Sequence, residues 1–456
     1  MMKKTILKKI LPVLCAAMLA GCAARPAVTP ASPISPIPPE ASEGKLLELV
    51  NPVARQSEIT LVAERPGISD DLIFPGSEDK AQSASAQVGG SREVRAVWIS
   101  YLEMETLLKN KTEAQFTANI CQVFDTVKNF GLNTVVIQVR PFGDALYNSE
   151  YFPWSYTITG TEGKNPGFDP LEIMVAQAKS RSLRVDAWVN PYRVRAANNN
   201  NAMSSSNQAG QWLNAGDSAV IRYKNAISYN PASEKAQKLI VNGIREIVRN
   251  YGVDAIHIDD YFYPSADAAF DSGSYSAYQQ KGGSLSLGDW RRSNVESLLK
   301  AIYSGIKAEN PDVLFGISPQ GNMDINYNGQ FLDVQKIVSN PGYCDYICPQ
   351  VYYGFDNQNQ PFATVIEKWN NMVAATEVDL YIGIAVYKLG NVDNYAGAGK
   401  NEWLNTTDQM KQMVDASRCL SEYGGVVLYR YDSLFRPSAA VSAQVQRERE
   451  NLKRIL

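Results

Sequence analysis

The only histidine of this chain stands two places ahead of a pair of adjacent aspartates, in the run HIDDYFYP at residues 257–264. An apolar segment that ends on two carboxylates is suited to acid–base or electrostatic chemistry. Side chains of a strand alternate between its two faces. Ile256 and Ile258 then mark one face, and Ala255, His257 and Asp259 mark the other. Asp260 follows the isoleucine face and joins Asp259 only if the backbone turns at the strand end. His257, one layer below Asp259, reads either as a hydrogen-bonded core group or as a partner that orients Asp259.

The same alternation can be applied to other apolar runs. It points Gln138 and Arg140 inward after Val135, Ile137 and Val139, and points Asp186, Trp188 and Asn190 inward between Val185, Ala187 and Val189. It adds Ser318, Gln320, Cys348, Gln350, Tyr352, Tyr387, Tyr429 and Tyr431, while loops contribute Tyr192, Tyr261 and Asp144. Any one of these could be ordinary packing; their convergence on one mouth would make a site. Amides, carboxylates and an arginine can bind sugar hydroxyls, and aromatic rings can stack on sugar C–H faces. Glycosidic cleavage needs an acid for the leaving oxygen and a second group for the oxocarbenium-like carbon. Asp259 is the best-placed carboxylate, and Arg140 is expected to keep it ionised. Asp260, Asp324, Asp144 and Asp432 compete for the role of acid. No serine or cysteine nucleophile pairs with a histidine. One histidine and scattered cysteines do not suit zinc, so no metal is expected.

Such a mouth needs strands that all run the same way. Eight apolar runs alternate with amphipathic stretches: residues 94–100, 134–139, 184–190, 254–262, 313–319, 345–353, 380–387 and 424–431. Helices are expected from Glu113, closed by Gly131, from Ser233, closed by Gly252, and over residues 438–454. Eight βα units predict a (β/α)8 TIM barrel with enlarged βα loops and its site at the C-terminal end of the strands. A doubly wound sheet is the rival, but no GxGxxG follows a strand.

The 456 residues carry 44 Lys+Arg against 47 Asp+Glu, a net charge of -3, which offers no electrostatic footprint for nucleic acid. Residues 1–21 have a lysine-rich start, a short apolar run and small residues before Cys22, the layout of an export signal. The end Leu19-Ala20-Gly21-Cys22 resembles a bacterial lipoprotein signal, in which Cys22 is lipidated and ties the protein to a membrane. An ordinary cleaved leader would export it as well. Residues 22–91 open with a proline-rich stretch and read as a tether, and residues 92–456 as the barrel domain. Cys121, Cys344, Cys348 and Cys419 are expected to be buried free thiols. Nothing signals a cofactor, and a monomer is expected.

The stretches VRAVWIS, GLNTVVIQVRPFGDALYNSEYFPWS, AWVNPYRVR, DAIHIDDYFYP, GISPQGN and ICPQVYYGF together resemble the bacterial glycosyl hydrolase-like family ten, over nearly the whole domain. The resemblance implies an exported TIM-barrel lipoprotein of the cell envelope that hydrolyses a glycan, some members acting on peptidoglycan strands stripped of their peptides. Two mechanisms stay open. Asp259 could be a nucleophile, with the acid on another loop. Alternatively, the adjacent aspartates could act together on an N-acetyl sugar whose acetamide attacks its own anomeric carbon. A lipid-anchored protein that binds glycan without turnover, and a hydrolase of another exported polysaccharide, are the rival functions.

Overall fold

A computed structural model describes residues 93–456, apart from residue 375 and the side chain of residue 405. The signal, Cys22 and the tether lie outside the described residues. The described residues form eleven strands, in chain order β1 (Val94–Ile99), β2 (Thr134–Arg140), β3 (Arg184–Val189), β4 (Arg193–Arg195), β5 (Val220–Tyr223), β6 (Ala226–Tyr229), β7 (Ala255–Ile258), β8 (Leu314–Ile317), β9 (Tyr346–Ile347), β10 (Asp379–Ala385) and β11 (Tyr423–Tyr429). Eight of them close in the order β1-β2-β3-β7-β8-β9-β10-β11, every pairing parallel, with β11 returning to β1. The expected TIM barrel is therefore present. Strands β4, β5 and β6 form a small antiparallel sheet in the enlarged loop after β3.

The alternation read from sequence sorts the strands. Val97, Ile99, Val135, Ile137, Val185, Ala187, Ile256, Ile258, Ile317 and Ile347 pack outward against the helices. Ala96, Trp98, Val136, Trp188, Ala255, Tyr346, Cys348, Tyr381 and Val427 fill the barrel. Glycine makes room for the large rings: a Cβ on Gly316 would fall inside the Tyr346 ring, and one on Gly383 would meet Trp98 at 3.1 Å and the Pro349 carbonyl at 2.9 Å. Overpacking of this kind costs roughly 1–3 kcal/mol or more, so these positions must stay small.

Gly131, at φ 109°, caps the helix Glu113–Phe130 as the sequence suggests. Gly252 does not cap its helix. Glu234–Asn250 ends on an extended Tyr251, one residue before Gly252. The ninth strand is only two residues long, because Pro349 lacks an N–H; the ladder continues as the single bridges Gln320↔Gln350 and Gln350↔Gly383. The last helix is shorter than expected, Ser442–Lys453. All four cysteines are free, but only Cys344 and Cys348 are buried; Cys121 is half-buried and Cys419 exposed. Both of the latter lie on or at the end of outer helices, beyond the strand pattern that marks the interior.

Candidate active site

Strand β7 ends at Ile258, and the chain turns out of the ladder there. That turn brings both aspartates to the mouth. Asp259 is 4% exposed, and both its oxygens accept from Asn190 Nδ2 at 2.6 Å. Asn190 is itself held: its Oδ1 accepts from Gln138 Nε2, and Gln138 Oε1 accepts from the Tyr101 N–H at 2.9 Å. Asp260 accepts from Gln320 Nε2 and from Gln350 Nε2, the latter at 3.2 Å. Four strand ends, β2, β3, β8 and β9, thus supply the amides that hold the pair.

Tyrosines stand beside them. Tyr352 stacks on Tyr429 at 5.7 Å, Tyr387 meets both edge-on at 5.9 Å, and Tyr429 packs edge-on to Trp98 at 5.8 Å. On the other side the Arg193 guanidinium lies 4.7 Å from the ring centres of Phe142 and Tyr261 and 5.8 Å from that of Tyr101. Its Nε donates to the Pro141 carbonyl at 2.9 Å. Burial and the neighbouring Asp260 push the Asp259 carboxyl up to about 7, against the pull of Arg193 and Asn190. Asp260 is also raised by burial, but two amide donors favour its ionised form. The pair therefore titrates as a unit, and burial with mutual repulsion disfavours ionisation of both carboxyls at once near neutrality. A buried acid next to a carboxylate, among sugar-sized tyrosine faces, can both donate a proton and steady a developing cation.

Residues 93–398 match the family described as Glycosyl hydrolase-like 10. The chain belongs to that family. Glycosyl hydrolase YngK of Bacillus subtilis strain 168 is 36% identical over 329 residues, covering 67% of this chain and 63% of the relative; the chain thus spans less than two-thirds of that relative's length. Glycosyl hydrolase DigH of Escherichia coli strain K12 is 29% identical over 407 residues, 81% of this chain and 89% of the relative. The catalytic domain of a β-amylase from Paenibacillus polymyxa superposes with a TM-score of 0.51 at 12% identity, covering 80% of this chain and 99% of that one, which speaks for the fold alone.

In this Glycosyl hydrolase-like 10 domain, several positions picked from sequence meet at the mouth: Asp259, Asp260, Asn190, Gln320, Gln350, Tyr352, Tyr387 and Tyr261. Others do not. Arg140 was expected beside Asp259, but the β2–β3 register shifts between Gln138 and Arg140 and pairs Arg140 with the outward Val189. Its guanidinium accordingly lies under Phe152, 4.5 Å from the ring centre and away from the mouth. Arg193, not Arg140, is the cation that acts on Asp259. Tyr431 faces the helices, 5.0 Å from Phe435, because the chain enters the helix Tyr431–Phe435 there; Tyr429 takes the inward place. Tyr192 is buried in the outer layer with its backbone carbonyl tied to the Tyr229 N–H at 2.9 Å.

Asp144 is buried behind the mouth, where it accepts from the Tyr156 N–H at 3.2 Å; burial and Glu162 push it up to about 7. Asp324 is exposed in the first turn of the helix Met323–Asn328, and its carboxylate stands apart from the network that holds the pair. Asp432 forms ion pairs with Arg436 at 3.8 Å and Arg430 at 4.0 Å. His257 neither touches substrate space nor orients Asp259. It is fully buried; Trp98 Nε1 donates to its Nε2 at 3.2 Å, and its Nδ1 lies 3.0 Å from the Tyr346 hydroxyl. With Nε2 accepting, Nδ1 carries the hydrogen, and the Tyr346 hydroxyl in turn donates to Asp186 at 3.0 Å. Burial lowers the His257 pKa to about 3, so the ring is a neutral strut of the barrel floor.

Arg193 escapes a reading by alternation because it opens the short, irregularly paired strand β4 of the loop insert, outside the barrel ladder. Its only signal is a cation beside aromatics, in NPYRVR at residues 190–195. Glu103 signals only a helix start, as the fourth residue of the capping box Ser100-x-x-Glu103. It is fully buried on the helix Tyr101–Leu107 and accepts from Ser100 N–H at 2.8 Å, Ser100 Oγ at 2.6 Å, Asp432 N–H at 3.1 Å and Arg430 Nη1. Oε2 caps its own helix at Ser100, and Oε1 joins the first and last βα loops.

Proposed function

We propose that the protein is a glycoside hydrolase acting on an exported polysaccharide, best suited by the N-acetylated glycan of peptidoglycan, and that it works at the envelope on a lipid attached to Cys22. The observation that carries the reading is the Asp259–Asp260 pair, sharing one proton and flanked by Tyr261, Tyr352, Tyr387 and Tyr429. Asp259 holds the proton and gives it to the departing glycosidic oxygen. Asp260, kept ionised by Gln320 and Gln350, accepts the N–H of the substrate's acetamide, whose carbonyl oxygen attacks the anomeric carbon as the glycosidic bond breaks. Water then opens the resulting ring, and its proton returns to the carboxylate pair. Adjacent residues at one strand end suit this substrate-assisted route, since both act from a single side of the sugar. This reading takes the second of the two mechanisms that the sequence leaves open, with Asp259 as acid rather than as ionised nucleophile.

The test is mass spectrometry of products from a panel of defined glycans that includes N-acetylated and de-N-acetylated peptide-free peptidoglycan strands. The expected result is cleavage that requires the N-acetyl group and falls by about 10²–10⁴-fold in Asp259→Asn and in Asp260→Asn, with glycan binding retained. Cleavage of de-N-acetylated strands, or a glycosyl adduct on either aspartate, would overturn the route. Binding without turnover in wild type and variants alike would leave a glycan-binding protein.

A further inference from the structure

The break of β7 that brings Asp260 to the mouth leaves a gap beside the next strand. The ladder on that side runs as far as the Ser318 N–H, which donates to the Ile258 carbonyl at 2.7 Å. Backbone groups of a strand face its two neighbours in turn, so Gln320, two residues on, faces the same side as Ser318. Pro319 and Gly321 face the other way: the Pro319 carbonyl accepts from the Gln350 N–H at 2.8 Å, and the Gly321 N–H donates to the Gln350 carbonyl at 3.0 Å. The N–H and C=O of Gln320 therefore point to the place that β7 vacates after Ile258. Buried backbone groups without partners are costly, so something must take the strand's place.

The carboxamide of Asn326 does so. Its Oδ1 accepts from the Gln320 N–H at 3.0 Å, and its Nδ2 donates to the Gln320 carbonyl at 2.8 Å. A side-chain amide carries a donor and an acceptor side by side, as a peptide edge does. Asn326 is fully buried and is fixed in turn: its N–H donates to the Asn322 carbonyl at 3.2 Å, and its carbonyl accepts from the Leu332 N–H at 2.8 Å. Asn322 caps the helix Met323–Asn328 by accepting from the Asp324 N–H at 2.9 Å and the Ile325 N–H at 3.3 Å. With its backbone clasped, Gln320 sends Nε2 to one oxygen of Asp260, while Gln350 Nε2 reaches the other at 3.2 Å and the Ser318 carbonyl at 3.1 Å. The charges that act on Asp260 are Asp259 and Arg193, and Tyr352 lies within reach of its field. We propose that Asn326 is a positioning residue of the aspartate pair: standing in for the vacated strand, it holds the Gln320 amide on Asp260 and so favours the ionised carboxylate. The inference rests on the proposed reaction, in which only ionised Asp260 accepts the acetamide N–H.

The test compares the full chain with Asn326→Ala, Gln320→Leu and the double variant. A carboxylate that loses a donor takes up its proton at higher pH. The acid limb of kcat/KM on N-acetylated glycan is expected to move upward by about one pH unit in Asn326→Ala and in Gln320→Leu, and no further in the double variant. Carbon-13 NMR of carboxyl-labelled aspartates, assigned with Asp259→Asn and Asp260→Asn, is expected to show the same displacement in the first ionisation of the pair, with no substrate present. Should Asn326→Ala not fold, Asn326→Ser carries the comparison in the same direction. A rate lowered equally at every pH, with an unmoved titration, would mark a merely structural residue and overturn the proposal. So would a further displacement when Asn326→Ala is added to Gln320→Leu. Absence of turnover in wild type would remove the proposed reaction instead, and the NMR titration would still decide whether Asn326 acts on Asp260.

Discussion

Asp259, the acid of the proposed reaction, carries a cost to the fold that pH can reveal. Its carboxyl titrates near 4 in an unfolded chain and at about 7 in the folded one. Between those values the unfolded state has lost the proton and the native state has not, so stability falls as pH rises. The contribution is fully present below pH 4 and is lost as pH rises through 7; its size is on the order of 2–4 kcal/mol for the coupled pair. Asp259→Asn removes the ionisation. The expected outcome is a variant with a Tm near that of wild type at pH 4 and above it at pH 8, although its glycan cleavage is lost. Thermal unfolding at the two pH values checks this, and a Tm difference that is constant with pH would contradict the assignment of the proton to Asp259.

Among the elements, the first and last βα units are joined where the barrel closes. Glu103 on the helix after β1 receives the Arg430 guanidinium and the Asp432 N–H from the end of β11, with Arg430 only 6% exposed. Removing one partner of such a buried pair leaves the other charge unsatisfied. Glu103→Ala is expected to lower the unfolding free energy by about 3–5 kcal/mol in chemical denaturation, and Glu103→Gln by less, since its amide oxygen can still accept. At the same scale, the small sheet β4–β6 explains a difference between the residues that alternation finds and those it misses. Asn190, Gln320 and Gln350 lie at or just past strand ends, where the face is set by the ladder. Arg193 opens the three-residue strand β4 and Tyr261 lies in the connection after β7, where the path of the chain decides what they face.

For the whole molecule, the expected leader and tether precede a domain whose mouth, in the proposed function, must reach a glycan. If Cys22 carries the lipid, a full-length chain made in a bacterium with lipoprotein processing is expected to take up a clickable palmitate analogue and to fractionate with membranes. Cys22→Ser is expected to lose both properties while keeping activity in lysate on the glycan panel. Uptake of label by Cys22→Ser would contradict the anchor. The TIM barrel itself was legible because parallel strands covered by helices must be apolar on the outer face, and eight such runs recur between amphipathic stretches.

What the sequence determined by itself is therefore the eight barrel strands, most of their inward and outward faces, and the placing of Asp259 with Asn190, Gln320 and Gln350 around one opening; a period of two residues is enough for that. Three matters were decided only by tertiary structure. A one-residue irregularity after Gln138 turned Arg140 outward, because a register slip changes the face of every residue beyond it in the strand. The break of β7 at Ile258 admitted Asp260, because beyond the last ladder bond alternation no longer constrains direction. Desolvation together with Asp260 raised the carboxyl of Asp259 towards neutrality, because a carboxyl's charge state depends on how much water and opposite charge surround it. None of these can be read from residue types in order.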